Sequence, residues 1–320
     1  MSDPRTPSGR YATFDEEFEE ETTSVSMPPT LDGRRAKEIL EPQARDRATL
    51  TIVTGFSAGA IHSLVEENLI GRGKECGVRI DDPGISRRHA RVVRRGPGAY
   101  FVEDLGSRNG TFVGGKQVVN HRLEEGDRIQ VGPTLELRFG IVDEAEEKLL
   151  RGLYESSVLD PLTGAFNRKH FGDRLSGEIA YAGRHKAQLS LLMFDLDHFK
   201  RVNDTLGHLG GDHVLRTVAG IVKKTLRVED VFARYGGEEF AIIARGTDVE
   251  RAHALAERIR TIVERSKIDY GGVLVPVTVS VGAASLACSG SFTDGELLIA
   301  KADERLYAAK RAGRNRSVGA

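Results

Sequence analysis

Two aspartates, Asp195 and Asp197, stand two residues apart at the end of the apolar run Gln188 to Phe194. Side chains at i and i+2 of a strand share a face, so the pair is expected to present two exposed carboxylates at a strand's end, an arrangement that invites a hard divalent cation. Gly236-Gly237 lies between two β-type runs, Val231 to Tyr235 and Glu239 to Ile243. A glycine pair there suits a two-residue hairpin turn and would put Glu238 and Glu239 at its tip. Together these residues offer oxygen ligands of the kind Mg²⁺ accepts, with other positions left to water and substrate phosphates. An acidic residue at a strand end is, alone, ordinary solvated decoration; the aspartate pair combined with Gly-Gly-Glu-Glu is what points to a metal. Arg227-Val228-Glu229-Asp230 carries little by itself, because a lone Arg-x-x-Asp is usually a surface ion pair worth about 0–1 kcal/mol.

The elements that must position these residues fall into distinct regions. At roughly 150 residues per domain, a 320-residue chain holds about two domains. Beyond Asp160 the pattern alternates: helix at 167–183, buried strand at 188–194, helix at 211–226, the hairpin, helix at 248–266, strand at 275–281 and helix at 294–312. Helices interleaved with a mostly antiparallel sheet predict an α+β, ferredoxin-like layer. Residues 48–140 read instead as short alternating runs punctuated by Gly, Asp and Pro, which predicts an all-β sandwich. Between them, Val142, Leu149 and Ser156 keep a seven-residue spacing, with Ala145 and Leu153 interleaved, which suits a helical stalk over 141–158 and a dimer seam. Residues 1–47 contain five prolines and the acidic run Asp15 to Glu21, too little apolar surface to offset ordering, so a disordered tail is expected.

Composition excludes several classes. Lys and Arg number 46 against 47 Asp and Glu, for a net charge of −1; no chain-wide basic field suggests a nucleic-acid or membrane-surface binder. The two cysteines, Cys76 and Cys288, have no companions at ligand spacing, which argues against a disulfide framework or structural zinc and suits a reducing cytoplasm. The N-terminus lacks an apolar leader and no run reads as a membrane segment.

At the level of motifs, Asp160-Pro161-Leu162-Thr163-Gly164, Phe194-Asp195-Leu196-Asp197-His198-Phe199-Lys200 through Asn203-Asp204, Gly211-Asp212, Arg234-Tyr235-Gly236-Gly237-Glu238-Glu239-Phe240, Ser280-Val281-Gly282 and Ala309-Lys310 through Arg314-Asn315 resemble the GGDEF family of diguanylate cyclases, in order and spacing over 159–316. The resemblance implies a palm-like α+β domain that condenses two GTP, one per subunit of a homodimer, into cyclic di-GMP and two pyrophosphates. By position, Asp195, the Leu196 carbonyl and Glu238 would hold Mg²⁺ or Mn²⁺. Asn203 and Asp212 would read guanine, while Lys200, Lys310 and Arg314 would clamp the triphosphate. Lys310 and Arg314 are four apart on an expected helix, hence on one face. His198 and Phe199 would wrap phosphates with backbone amides, Glu239 would serve as a metal or supporting carboxylate, and Arg234 would belong to the catalytic set. Arg227 and Asp230, with five residues between Asp230 and Gly236, match the family's product-inhibition site, where cyclic di-GMP binds as inhibitor.

Gly71-Arg72-Gly73, Ser86-Arg87-Arg88-His89, Asp104 through Phe112 including Arg108-Asn109, and Leu123 through Ile129 resemble a forkhead-associated (FHA) domain over 48–140. That resemblance implies phosphothreonine recognition by Arg72, Ser86, Arg108 and Asn109, with Arg87 reading a residue after the phosphothreonine and His89 buried to pin the Ser86 loop. A Ser/Thr kinase then becomes an implied partner. Glu21-Thr22-Thr23-Ser24-Val25 resembles the phosphorylatable tail of small FHA proteins, so Thr22 or Thr23 would dock on the chain's own FHA domain or a neighbour's. The sequence therefore predicts a multidomain protein, an all-β FHA sandwich followed by an α+β GGDEF domain. The rival readings are a catalytically silent scaffold that binds cyclic di-GMP or GTP, and a phosphopeptide scaffold that uses the second domain only to dimerise.

Overall fold

The computed structural model describes residues 44–286 and 295–319 apart from Phe56, Asp81 and Pro83; Thr22, Thr23 and residues 1–43 of the expected disordered tail lie outside the described residues, while Arg47, the tail's expected last residue, begins a strand. A six-stranded sheet centred on Arg47–Ile52, Leu135–Val142 and Arg128–Val131 faces a five-stranded sheet built around Glu67–Gly71, Ala90–Arg94 and Tyr100–Asp104. Inward side chains of both sheets, among them Leu50, Ile70, Val92, Val102, Leu137 and Phe139, form one buried cluster. This is the aligned sandwich that period-two patterning requires.

Helix α1, Glu144–Val158, starts at Asp143, whose carboxylate accepts the Glu146 N–H and so supplies one of the partners a helix start lacks. Its Glu147 side chain is buried against the sandwich. The Ser63 hydroxyl donates to it, as do Arg47 at 3.2 Å and Arg151 at 3.1 Å. The Ser63 bond leads in holding the Glu147 carboxyl below its usual range. The opposite side of the helix exposes Leu149 and Leu153, at 61% and 58%.

The remaining helices among the described residues are α2 (Arg168–His185), α3 (Phe199–Thr225), α4 (Val249–Glu264) and α5 (Gly295–Arg311). Across the main sheet the strand order is Val231–Gly236, Glu239–Arg245, Leu189–Leu196, Val279–Ser285, Ser317–Val318. Chain order through the first four is β-α-β-β-α-β and their pairings are antiparallel, which is the expected ferredoxin-like layer. Every residue of Leu189–Leu196 is buried because both faces are covered. Leu192, Phe194 and Leu196 pack with α3 and α4, whereas Leu189, Leu191 and Met193 pack with α2 and α5. A strand buried on both sides reads as a continuous apolar run.

Two expected elements change. The helix expected at 211–226 begins at Phe199 and bends at Gly207, whose φ of 72° is non-helical; its first limb is too polar to show a helical stripe. The strand expected at 275–281 is two strands. Val273–Val275 pairs with Ile268–Tyr270 in a separate hairpin, and Val279–Ser285 lies inside the main sheet. Pro276 stands between them and cannot donate to a ladder. No helix among the described residues is long and apolar enough to cross a membrane.

Candidate functional site

Asp195 is the penultimate residue of the central strand, on the face covered by α2 and α5, opposite Glu239 on one neighbouring strand and Ser280 on the other. From α5 comes Lys310, with Nζ 2.9 Å from Asp195 Oδ2. Burial pushes the Asp195 carboxyl up; Lys310 offsets part of this, Glu238 and Glu239 add to it, and the pKa reaches about 6. A buried carboxylate crowded by two others is electrostatically short of positive charge, and a divalent cation supplies it. Asp195, Glu238 and the Leu196 carbonyl therefore fit Mg²⁺ or Mn²⁺ as oxygen donors. Among the described residues no three acidic, histidine or cysteine side chains converge on one point, so such an ion would draw its other ligands from water and phosphate.

Asp197 is placed differently. The strand ends at Leu196, and both aspartates are buried, at 8% and 6% exposure, rather than displayed at an exposed strand end. Asp197 accepts Thr278 Oγ1 at 2.7 Å, Ser280 Oγ at 2.6 Å and the Asn315 N–H at 3.0 Å. The hairpin also differs from expectation. Gly236 pairs with Glu239 across an irregularity after Arg234, so the turn residues are Gly237 and Glu238, and Gly237 adopts φ +44°, a conformation that favours glycine. Arg234, expected among the catalytic residues, donates from Nε to the Gly237 carbonyl at 2.8 Å and pairs with Asp160 at 3.1 Å. Its guanidinium braces the turn that carries Glu238.

Several of the residues expected to bind nucleotide, His198, Phe199, Lys200, Asn203 and Asp212, lie along the start and bend of α3. His198, in the left-handed region at φ 57°, leads into the helix, whose first N–H groups have no intrahelical acceptor and are suited to phosphate oxygens. Phe199 is buried, while His198 and Lys200 are exposed. The bend at Gly207 brings the second limb back: a Cβ on Gly211 would stand 1.9 Å from Asn203 Oδ1. Glycine at 211 thus leaves the space that the Asn203 carboxamide fills, one residue before Asp212 in the chain. One expectation fails here. Helix α5 ends at Arg311, and Arg314 sits past it at φ 62°, so Lys310 and Arg314 do not share a helix face; a turn carries the second.

Arg227 and Asp230 form a turn, not a surface ion pair. The Asp230 carboxylate accepts the Arg227 backbone N–H at 3.0 Å, and burial, the leading cause, pushes its pKa up. The pair lines a groove of about 330 Å³ together with Arg251 and Arg258 of α4. These two arginines escaped the sequence reading; the only local signal is their spacing of seven, which puts them on one helix face. Asp230 also lines a second cavity, about 370 Å³, between the sandwich and the ferredoxin-like domain, where Arg79 Nε and Asp230 Oδ1 are buried without hydrogen-bond partners.

On the sandwich, Arg72, Arg87, Arg108 and Asn109 are exposed around half-buried Ser86. Arg72 N–H donates to the Ser86 carbonyl at 3.1 Å, Arg108 N–H to Ser86 Oγ at 3.1 Å, and Asn109 Nδ2 to the Gly84 carbonyl at 2.7 Å. A Cβ on Gly71 would lie 2.3 Å from the Arg87 carbonyl, so glycine there permits the two loops to meet. Fully buried His89 accepts the Ser86 N–H at Nδ1 and donates from Nε2 to the Gly110 carbonyl at 3.0 Å, tying both loops together. Burial alone would raise the Asp104 carboxyl, but bonds from Ser107 and Thr111 outweigh it and hold it low, fixing the loop before Arg108.

An antiparallel sheet that carries an acidic hairpin against Asp195, behind a β-sandwich with a cationic loop cluster, defines a two-domain signalling architecture. Residues 157–316, half of the chain, match the family described as diguanylate cyclase, GGDEF domain, and residues 68–132 match the FHA domain. The chain belongs to the GGDEF family. It is 40% identical over 162 residues to diguanylate cyclase DgcP of Pseudomonas aeruginosa, covering 51% of this chain and 24% of that one. It is 41% identical over 168 residues to diguanylate cyclase A of Treponema denticola, covering 51% and 44%. The chain thus spans less than half the length of either relative. Its fold superposes on the coiled coil and GGDEF domain of DgcB from Caulobacter crescentus, solved in complex with c-di-GMP, with 34% identity, a TM-score of 0.50 and coverage of 54% of this chain and 91% of that one.

Proposed function

We propose that the chain is a diguanylate cyclase that joins two GTP into cyclic di-GMP with release of two pyrophosphates, regulated by phosphothreonine at the FHA domain and by its own product. The observation that carries the cyclase reading is the convergence at one end of the central strand of Asp195, the Glu238-Glu239 hairpin and Lys310, beside the Asn203–Gly211 contact. Each protomer would hold one GTP. Asn203 and Asp212 match guanine's acceptor and donor edge, and the start of α3 with Lys200, Lys310 and Arg314 takes the triphosphate. Asp195 and Glu238, with the Leu196 carbonyl, would hold the cation. When bound, Mg²⁺ supplies neutralisation of phosphate charge and activation of the attacking hydroxyl. The 3′-oxygen of one GTP bonds to the α-phosphorus of the other, the bond to the β-phosphate oxygen breaks, and repetition in the opposite sense closes the ring. Because one domain carries half of the reacting atoms, a homodimer is required, and the exposed Leu149–Leu153 edge of α1 is the seam we assign to it. Incubation with GTP and Mg²⁺, with product identified by mass spectrometry, tests this; GTP returned unchanged refutes it.

Product inhibition rests on the groove where Arg227, Arg251 and Arg258 surround Asp230, a cationic lining suited to the phosphates of a cyclic dinucleotide. FHA regulation rests on the cationic loops and on their route to the second domain. Arg79, in the interdomain cavity, is in register with Gly71 beside Arg72, and Asp82 holds the Gly84 N–H at 2.7 Å next to the Asn109 contact. We assign the tail threonines Thr22 and Thr23 as the docking phosphosites, in cis or in the neighbouring subunit, with a Ser/Thr kinase as the modifying partner. A phosphorylated peptide of residues 15–30 should bind the full chain and not an Arg72→Ala variant; equal affinity for both would direct the FHA domain elsewhere.

A further inference from the structure

Asp197 is buried and hydrogen-bonded at both oxygens, yet no step of the reaction calls on it. Oδ2 accepts from Thr278 Oγ1 and from the Asn315 N–H, while Oδ1 accepts from Ser280 Oγ. All three donors are neutral. Asn315 follows Arg314, and the two are consecutive non-glycine residues at positive φ, 62° and 45°; such a backbone persists only where the surroundings hold it. The surroundings here are specific. Asn315 Nδ2 donates to Glu264 Oε1 at 2.6 Å, and its Oδ1 accepts from Arg260 Nη1 at 3.0 Å, which ties the turn to α4. The Val281 N–H donates to the Arg316 carbonyl at 2.9 Å, which ties it to the main sheet. Asp197 closes the third side, from the residue just past the central strand.

We propose that Asp197 is a positioning residue for substrate: it fixes the Arg314–Asn315 turn so that the Arg314 guanidinium, with Lys310 at the end of α5, meets the nucleotide phosphates beside Asp195. This rests on the reading of Lys310 and Arg314 as phosphate contacts. Two aspartates two residues apart thus divide the work, Asp195 facing Lys310 where a cation would bind and Asp197 turned toward the chain. The division has a chemical signature. A carboxylate that ligates a metal is not replaced by an amide, whereas one that only accepts neutral hydrogen bonds largely is. The asparagine oxygen can take the Thr278 and Asn315 donors, and its amide can donate to a reoriented Ser280 hydroxyl.

The test is GTP saturation kinetics, with binding of a non-hydrolysable GTP analogue by calorimetry, on the full chain with excess Mg²⁺. Asp197→Ala is expected to raise KM and the analogue's Kd about tenfold with kcat changed less than about threefold. Exposed Glu264→Ala should raise both about threefold, and Asp197→Asn should stay within about twofold of wild type. Unchanged KM and Kd in a folded Asp197→Ala overturn the inference. So does loss of turnover in Asp197→Asn with analogue affinity intact, which would return Asp197 to the metal. If Asp197→Ala does not fold, Glu264→Ala decides, and unchanged affinity there overturns the proposal. Analogue binding by a wild type that forms no product would mark failure of the cyclase reading separately from failure of this one, and a wild type that does not bind overturns both.

Discussion

Asp195 is asked to be buried and charged together. With a folded pKa of about 6 against an ordinary value of about 3.9, the folded chain holds this proton more tightly than the unfolded one. The stability linked to the group is therefore present below the unfolded value and is lost as pH rises through about 6. In the metal-free protein at pH 8, Asp195→Asn is expected to match or exceed wild-type stability by on the order of 1–2 kcal/mol, the gap closing toward pH 4. It should also lower cyclic di-GMP formation about a hundredfold or more. Denaturant unfolding in chelator at the two pH values checks the first; a variant less stable at pH 8 would mean that the Lys310 pair outweighs burial. Arg227 is the second residue-scale case. Arg227→Ala should keep the initial rate within about twofold while removing the slowing that accompanies product accumulation, and superimposable progress curves for the two proteins would exclude the groove as the inhibitory site.

At the scale of elements, α5 brings Lys310 to Asp195 only because it lies directly on the sheet. A Cβ on Gly282 would be 2.1 Å from the Ala302 carbonyl oxygen and 2.2 Å from the Leu306 nitrogen, backbone atoms that cannot swing aside as a side chain does. Gly282→Ala is accordingly expected to cost on the order of 3 kcal/mol and to raise KM for GTP as α5 lifts. Gly152, inside α1, provides the contrast, because a Cβ there would meet no atom within 4 Å: Gly152→Ala should stabilise by about 1 kcal/mol. Chemical denaturation of the pair reads the difference, and equal effects would mean that helix propensity, not the contact, governs both.

For the whole molecule, α1 is bonded at both ends. Glu147 locks it to the sandwich, and at its C-terminus the Val158 and Ser157 carbonyls accept the backbone and side-chain N–H groups of Asn167, each at 2.8 Å. The sandwich thus meets the second domain through this helix and at the cavity lined by Arg79 and Asp230, the contacts through which the proposed FHA regulation would act. If paired subunits share the reaction, as proposed, rate per protomer should rise with protein concentration through the dimerising range, and Leu149→Glu with Leu153→Glu should shift that rise to higher concentration. Sedimentation alongside activity tests this; concentration-independent turnover by a monomer contradicts it.

The sequence by itself determined what neighbouring residues decide. Period-two runs set the sandwich, the run Gln188 to Phe194, apolar but for Gln188 and Ser190, announced a buried strand, and Asp195 with Asp197, Glu238-Glu239 and Arg227 to Asp230 stood out as candidates for chemistry because the members of each group lie close along the chain. The tertiary structure decided what distant segments bring. Asp197 looked like a twin of Asp195 by spacing, but its partners Thr278, Ser280 and Asn315 are 81, 83 and 118 residues away, and they turn it inward. Arg251 and Arg258 joined Arg227 only through the packing of α4, and Arg314 left the expected helix because the chain turns after Arg311. Strand and helix periods encode which face a side chain takes; what arrives to cover that face is set by long-range packing, which no local pattern records.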